Sequence, residues 1–339
     1  MSLTVPAEWS PHQAMWLGFP SHAELWEDNL EPAQDEVAAV ARALAGPGAE
    51  RVRLLVCGDE AEQAARRLLD DVAGVEIIRG QFGDVWLRDT GPIFTAVEQR
   101  AGAAGFRFNG WGGKYILDGD ETVADQIAAA SGVPLTAHDF VLEGGALDHD
   151  GFGAVLTTRQ CLLNPNRNPG WTEKEAEAAL ARALGVRKVL WLGDGLVNDH
   201  TDGHVDNLAR FVAPGVVACP VAFGRDDPNA EIYDAAARQL SSMTGGRGAP
   251  LQVSRIASPG RVLNDEGEVV PASHMNFIIA NEAVIAPVYD DGPTAGYALD
   301  ALRSLFPERT VIGLSSRALL TGGGSFHCIS QQEPEWARS

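Results

Sequence analysis

A polar cluster recurs five times along this 339-residue chain, and the repetition constrains the fold more than any other feature of the sequence. Each cluster opens a hairpin-like segment, and the interval of about 50 to 70 residues is near or just above the length of a repeated supersecondary unit. Most intervals then contain a helix and a further strand. The clusters are Arg88–Gly91, Glu143–Gly145, Gly203–Asp206, Ser273–Asn276 and Gly322–Gly324.

Five units of the order strand, strand, helix, strand, closed into a ring, bring all five clusters close to one axis. An α/β sandwich with unrelated loops is the alternative, because the units share spacing rather than sequence. The small residues of Arg100–Gly105 predict the tip of a hairpin. Helices are predicted where apolar residues recur at three- and four-residue spacing, over Pro32–Leu44, Glu60–Val72, Thr122–Ser131, Thr172–Leu184, Asn229–Met243 and Thr294–Phe306.

Charge and hydropathy exclude several classes of protein. The formal net charge of −20 argues against nucleic acid and anionic membranes as partners, and it suits a small cationic substrate as well as plain solubility. No apolar run, Val216–Val221 included, is long enough to span a bilayer. Because Met1–Trp9 has neither the basic nor the apolar region of an export signal, a cytoplasmic location is expected. Assembly into a homo-oligomer stays open.

The four cysteines, Cys57, Cys161, Cys219 and Cys328, form no CxxC pair, so neither a zinc knuckle nor a dithiol redox motif is indicated. In a reducing compartment they are expected to be free thiols. Cys328 follows the glycines of Gly322–Gly324, where a turn can leave the sulfur accessible and nearby backbone N–H groups can favour the thiolate. A lone cysteine is more often a buried structural residue, so both interpretations stand.

Two histidines and three aspartates lie between residues 199 and 206. One interpretation is a metal site, which makes a metal-dependent amidohydrolase built on His200, Asp202, His204 and Asp206 an alternative function. If residues 203–211 form a strand, alternation places His204 and Asp206 on one face. This favours an acid/base histidine beside a carboxylate. A polar loop with helix-capping residues is the third interpretation.

Two further carboxylates open repeat units. Alternation groups Asp84, Trp86 and Arg88 on one side, with Asp89 at the following turn, and Glu143 precedes two glycines. Each acid has an ordinary interpretation, as a turn former or an exposed hairpin residue. Taken together, a thiol, a histidine and several carboxylates suit attack on a guanidinium. Carboxylates hold and localise its charge, a thiolate adds to its carbon, and a histidine moves the protons.

Nearly the whole chain resembles the agmatine deiminase family, within the guanidine-modifying enzymes. The matching motifs are Pro6–His12, Trp86–Pro92, Phe108–Tyr115, Glu143–Gly145, Cys161–Pro169, Gly203–Asn207 and Gly322–Gln332. The resemblance implies an α/β fold, a five-bladed, pentein-like α/β propeller with pseudo-fivefold ββαβ repeats. It also implies a single catalytic domain over residues 1–339.

The resemblance further implies a role for each matching residue. Cys328 matches the nucleophile, His204 the acid/base, and Asp89 and Asp206 the carboxylates that hold the guanidinium. Glu143 matches a further catalytic carboxylate. The remaining expected substrate contacts are Trp86, as a wall of the pocket, Gly323 and Gly324. No cofactor and no metal is implied, and Cys161 is expected to be structural.

The activity implied by the resemblance is hydrolysis of agmatine to N-carbamoylputrescine and ammonia through a covalent thiouronium intermediate, a step of polyamine biosynthesis. Deimination of peptidyl-arginine or of another small guanidine compound is the alternative within the family. Free arginine needs a cationic partner for its carboxylate, for which Arg88 and Arg210 are candidates. Ser325 and Phe326 replace the Asn-Ile of many family members and leave the substrate open. A guanidine-binding propeller without catalysis is the non-enzymatic alternative.

Overall fold

The apolar runs form the strands of five small sheets in a computed structural model of the chain, which describes residues 3–98, 100–289 and 292–336. The strands are β1 (Leu3–Thr4), β2 (His12–Gly18), β3 (Val52–Val56), β4 (Val75–Arg79), β5 (Ile93–Val97), β6 (Arg100–Arg107), β7 (Leu135–Val141), β8 (Asp148–His149), β9 (Ala154–Thr158), β10 (Lys188–Leu192), β11 (Arg210–Ala213), β12 (Val216–Val221), β13 (Gln252–Ala257), β14 (Ile278–Ile279), β15 (Ala283–Val288), β16 (Thr310–Ser315) and β17 (Ser330–Pro334).

Each unit has a longer helix between its second and third strands, and the unit of β2 has a further one between β3 and β4. These helices are α1 (Leu30–Ala45), α2 (Asp59–Leu69), α3 (Val123–Ser131), α4 (Glu173–Leu184), α5 (Ala230–Ser241) and α6 (Pro293–Leu305). All the helices predicted from apolar spacing are confirmed, and the largest difference is the end of α2 at Leu69 instead of Val72. None of the helices in the described ranges has the length and apolar character needed to cross a bilayer.

The order strand, strand, helix, strand is confirmed, and the result is a mixed α/β fold. In each unit the first strand pairs antiparallel with the second, and the helix then returns the chain to a third strand parallel to the second. The unit of β11, β12, α5 and β13 is an example. The unit of β2 differs because it joins the two ends of the chain. Its first strand is the C-terminal β17, which pairs antiparallel with β2.

The core of each unit lies between its helix and its sheet. In α4, Thr172 and Glu175 form the capping box at the helix start, and Leu180 and Leu184 are buried in the same cluster as Val155 of β9. Burial of each such leucine contributes roughly 1.5–3 kcal/mol. The apolar spacing of the helix therefore fixes which of its faces meets the sheet.

Each polar cluster immediately precedes the first strand of a sheet. Arg88–Gly91 leads into β5, Glu143–Gly145 into β8, Gly203–Asp206 into β11, Ser273–Asn276 into β14, and Gly322–Gly324 into β17. The clusters are therefore equivalent positions of a repeated unit.

Two local predictions are wrong. Arg100–Gly105 is part of β6, and its small residues serve helix packing: Ala103 lies in the core cluster of Val123 and Ile127 from α3. Residues 203–211 do not form one strand either. Val205–Asn207 make a single 3-10 turn and β11 begins only at Arg210, so strand alternation does not explain how His204 and Asp206 project.

Candidate active site

A buried carboxylate is anchored where the first cluster meets the second. Asp89 lies in the helical turn Leu87–Thr90, and its Oδ2 accepts a hydrogen bond from Trp111 Nε1 at 2.9 Å. Its Oδ1 accepts from the backbone N–H of Gly145 at 2.9 Å. Burial raises the pKa of Asp89, while the charge of His204 and these hydrogen bonds oppose the increase.

The thiol of Cys328 lies beside an amide and a carboxylate. Asn276 Nδ2 donates to Sγ at 3.1 Å, and Asn276 Oδ1 accepts from the N–H groups of His327 at 2.9 Å and Cys328 at 3.3 Å. Asp206 Oδ2 lies 3.8 Å from the sulfur. Burial, with the charges of Asp206 and Asp89, raises the pKa of Cys328 well above its ordinary value. The sulfur is buried but not enclosed by apolar side chains alone.

His204 faces the same space with both ring nitrogens free. Its Nδ1 lies 3.6 Å from Asp89 Oδ1, and neither ring nitrogen has a hydrogen-bond partner among the described residues. Burial by itself lowers the pKa of His204, but the charge of Asp89, followed by Cys161 and Glu143, raises it well above its ordinary value. The groups around the ring therefore favour its charged form.

Gly145 marks the point at which the site side chains converge. A Cβ atom at this position would lie 2.6 Å from His204 Nδ1, 2.8 Å from Asp89 Oδ1 and 3.1 Å from Asp206 Oδ2. Because these separations are shorter than van der Waals contact, only glycine leaves the three side chains in place. Side chains from the first and third clusters therefore come together beside the Cα atom of Gly145, which belongs to the second cluster.

Asp206 is held by a chain of buried charges. Its Oδ2 lies 2.9 Å from His327 Nδ1, and His327 Nε2 lies 2.9 Å from Glu8 Oε2. Glu8 in turn contacts Arg210, which also donates to Asp148 at 2.6 Å. Burial would raise the pKa of Asp206, but the hydrogen bond and charge of His327 lower it below its ordinary value. Asp206 is therefore an anion inside the protein.

Glu143 lies next to an arginine that the sequence analysis did not identify. Its Oε1 accepts from Arg167 Nε at 2.6 Å, and Arg167 Nη1 also binds Asp202 at 2.5 Å. Lys114 Nζ is 2.7 Å from the other oxygen of Asp202. Asp202 is therefore fully engaged by two cations.

The metal site considered for the region of His200 is not assembled. Asp202 pairs with basic side chains, and His200 stacks on Tyr115, whose hydroxyl lies 3.1 Å from His200 Nδ1. Over the described ranges, one group of three metal-binding side chains comes together, and it consists of Glu143, Cys161 and His204.

The glycines of the last cluster pack against tryptophan. Trp86 Nε1 donates to Asp84 Oδ2 at 2.7 Å, and a Cβ at Gly324 would overlap the Trp86 ring. Gly323, with φ of +97°, lines a cavity of about 1270 Å³ that Tyr115 and His200 also line. The glycines allow the backbone to approach this ring closely, and the cavity reaches the last cluster at Gly323.

The predicted grouping of Asp84, Trp86 and Arg88 holds for the first two, which are hydrogen-bonded to each other. It is wrong for Arg88, because Leu87–Thr90 is a helical turn and not a strand. Arg88 is instead buried and donates to Gln331 at 2.8 Å and Gln332 at 2.7 Å. Arg210 is likewise engaged by buried acids. Both arginines are therefore structural, and neither is free to bind a substrate carboxylate.

The polar contacts of the site that were missed from sequence include Trp111, Arg167, Asn276 and His327. Asn276 lies in the fourth polar cluster, whose position in the repeat is the same as that of the other four. This shared position could have identified Asn276 as a residue of the site. Trp111 and Arg167 lie in motifs far from the clusters, and nothing local points to their partners.

Comparisons with known proteins agree with the geometry. The profile of Porphyromonas-type peptidyl-arginine deiminases matches residues 4–334. Agmatine deiminase from Stutzerimonas stutzeri is 38% identical, over 97% of this chain and 95% of its own. The structure of agmatine deiminase from Enterococcus faecalis has a TM-score of 0.92 at 33% identity, covering 98% of this chain and 96% of that one. A cysteine-to-serine variant of C. jejuni agmatine deiminase with substrate bound has a TM-score of 0.89 at 26% identity, covering 99% and 97%.

Proposed function

The chain belongs to the family of Porphyromonas-type peptidyl-arginine deiminases, and from this premise we propose that it hydrolyses agmatine to N-carbamoylputrescine and ammonia. It is a hydrolase of C–N bonds in linear amidines. The observation that carries the proposal is the convergence of Asp89, Asp206 and His204 at Gly145, with the sulfur of Cys328 lying 3.8 Å from Asp206.

Asp89 and Asp206 hold the guanidinium. A planar guanidinium presents pairs of N–H donors, and two carboxylates on different sides accept them in parallel. Both side chains are buried, so their attraction for the cation is weakly screened. Fixing the positive charge between them makes the central carbon electrophilic, and Trp86 forms a wall of the pocket.

The substrate itself activates the nucleophile. The acids around Cys328 keep it a thiol in the empty site, and an incoming cation offsets their charge and lowers the thiol pKa. The proton leaves to solvent, and Sγ adds to the guanidinium carbon. His204 then donates its proton to the departing nitrogen, the C–N bond breaks, and ammonia leaves a cationic thiouronium on Cys328.

Hydrolysis of the intermediate reverses the role of His204. The neutral imidazole takes a proton from water, and the resulting hydroxide adds to the thiouronium carbon. The C–S bond then breaks, the hydroxyl proton is lost as the carbonyl forms, and the thiolate of Cys328 is released. Glu143 lies beside His204 as a further carboxylate, fixed by Arg167. No metal or cofactor takes part in these steps.

We further propose that the five sheets close into a five-bladed α/β propeller and that residues 1–339 form one catalytic domain. The pairing of β17 with β2 supports this, because it joins the last unit of the chain to the first. A cytoplasmic location and a role in polyamine biosynthesis belong to the same proposal. The partner is a small guanidine substrate, with neither nucleic acid nor membrane.

Ammonia release from agmatine, free arginine and a blocked arginine peptide, measured in parallel, tests the substrate. Agmatine should be consumed fastest, since neither Arg88 nor Arg210 is free to bind the carboxylate of arginine. Faster turnover of the blocked peptide would instead support peptidyl-arginine as substrate.

Cys328→Ser tests the nucleophile. It should abolish turnover while agmatine still binds, and rapid quenching of the wild-type enzyme should give a covalent adduct on Cys328 by mass spectrometry. Turnover in the serine variant would contradict the assigned nucleophile.

A further inference from the structure

A thiol outside the proposed reaction lies against the acid/base histidine. Cys161 is in the helical turn Arg159–Leu162, where its N–H donates to Thr158 Oγ1 at 3.2 Å. One ligand atom each from Glu143, Cys161 and His204 lies within 4.8 Å of the other two. The three side chains are buried and come from separate segments of the chain.

The histidine in this group has a buried imidazole ring whose nitrogens make no hydrogen bond with the described residues. His204 is 1% exposed, and neither ring nitrogen has a hydrogen-bond partner among the described residues. A buried polar atom without a partner is costly, so such an atom points to a ligand that completes it.

The surrounding charges favour a second cation. Asp89 lies 3.6 Å from His204 Nδ1 and Asp206 lies on the other side of Gly145. Arg167 offsets only part of this charge, because Asp202 shares the same guanidinium. A small dication thus meets a pocket with a net excess of carboxylates.

We propose that Glu143, Cys161 and His204 form an inhibitory site for a thiophilic divalent cation, best fitted by Zn²⁺. Zinc takes sulfur, imidazole nitrogen and carboxylate oxygen in tetrahedral sites, and three protein ligands with one open position are a common set. Tetrahedral zinc requires its ligand atoms about 3.3 to 3.6 Å apart, so side chains now within 4.8 Å must close by roughly one ångström.

Binding displaces the thiol proton of Cys161 and one proton of the charged His204 imidazole, both of which pass to solvent. Zn–S, Zn–N and Zn–O bonds form, and no oxidation state changes. Affinity therefore rises with pH. The bound ion uses the imidazole needed for proton transfer and puts two positive charges where the guanidinium is held. Inhibition is consequently competitive with the cationic substrate, and the nucleophile Cys328 is not a ligand.

Calorimetric titration of the full chain with ZnCl₂ tests the site apart from activity. In a Cys328→Ser background one Zn²⁺ should still bind per chain, with release of two protons. Cys161→Ser in that background should weaken binding about tenfold or more. Matched controls, Cys219→Ala in β12 and Cys57→Ser, should leave the affinity unchanged.

A second measurement applies if the Cys161 variant folds poorly. Co²⁺ bound to the Cys328→Ser chain should show thiolate-to-metal charge transfer, and its absence overturns the site. Zinc affinity unchanged by Cys161→Ser, or lost with Cys328→Ser alone, also overturns it. The inference rests on the proposed function only for its effect on catalysis. Zinc binding without guanidine turnover would refute that function and leave the site intact.

Discussion

Trp111 offers a direct test of the carboxylate that holds the guanidinium. Its indole N–H donates to Asp89 Oδ2 at 2.9 Å, while its ring packs edge-on against Phe108 with centroids 4.8 Å apart. Trp111→Phe removes the donor and keeps an aromatic ring in place. Asp89 then retains one anchoring donor, the backbone N–H of Gly145.

The size of the effect follows from the charge on the acceptor. A hydrogen bond to an ionised group contributes about 1.5–3 kcal/mol, which corresponds to a decrease of about ten- to hundredfold in kcat/KM. The sign of the pH effect is also fixed. The indole lowers the pKa of Asp89 against the increase caused by burial, so its loss raises that pKa further. Because the ionised carboxylate binds substrate, activity should be lost at a higher pH as the solution is acidified.

The assay is the pH profile of kcat/KM for agmatine in the wild type and in Trp111→Phe. The acidic limb should move to higher pH, with partial recovery of activity in alkaline buffer. Trp191→Phe is the matched control, since Trp191 is buried and donates to Glu177 at 3.0 Å outside the site. An unmoved limb, or an equal loss in the Trp191 variant, would refute the reasoning.

Further changes probe the rest of the site. Gly145→Ala places a methyl group 2.6 Å from His204 Nδ1 and should lower kcat/KM by about ten- to hundredfold, whereas Gly296→Ala, with nothing within 4 Å of the new Cβ, should keep activity and raise stability by about 0.4–1 kcal/mol. Asn276→Ala removes the donor to Sγ and should lower kcat about 10²–10³-fold, with some loss of thermal stability because two buried N–H groups lose their acceptor; a KM effect alone would contradict this. His327→Gln removes the interactions that lower the pKa of Asp206, so KM for agmatine should rise as pH falls, and a KM independent of pH would contradict the charge chain.

The sequence by itself determined the repeat and the residues that matter most. Helices such as α4 followed from apolar spacing and a capping box, and the position of every polar cluster before a first strand followed from the repeat. These features depend on interactions within one or two turns of chain, which local residue types control. The agmatine deiminase resemblance read from the motifs is confirmed by the family profile and by the relatives.

Predictions from the local sequence were wrong for two segments whose conformation depends on contacts with distant elements. Arg100–Gly105 has the small residues of a turn, but Ala103 is small because α3 packs on β6. His204 and Asp206 were paired by a strand alternation that does not exist, since Asp206 lies in a 3-10 turn that begins directly after His204. Burial against a distant element decides such segments, and the local sequence does not contain that element.

Only the tertiary structure decided which side chains face one another. Asn276 reaches the sulfur of Cys328 across 52 positions of sequence, and Cys161 lies beside His204 although its own motif gives no sign of it. Contacts of this kind depend on how separate sheets pack and on the pairing of β17 with β2. The local sequence therefore determined the helices and strands of each unit. The candidate site lies between units, and the packing of the units determines the distances between its side chains.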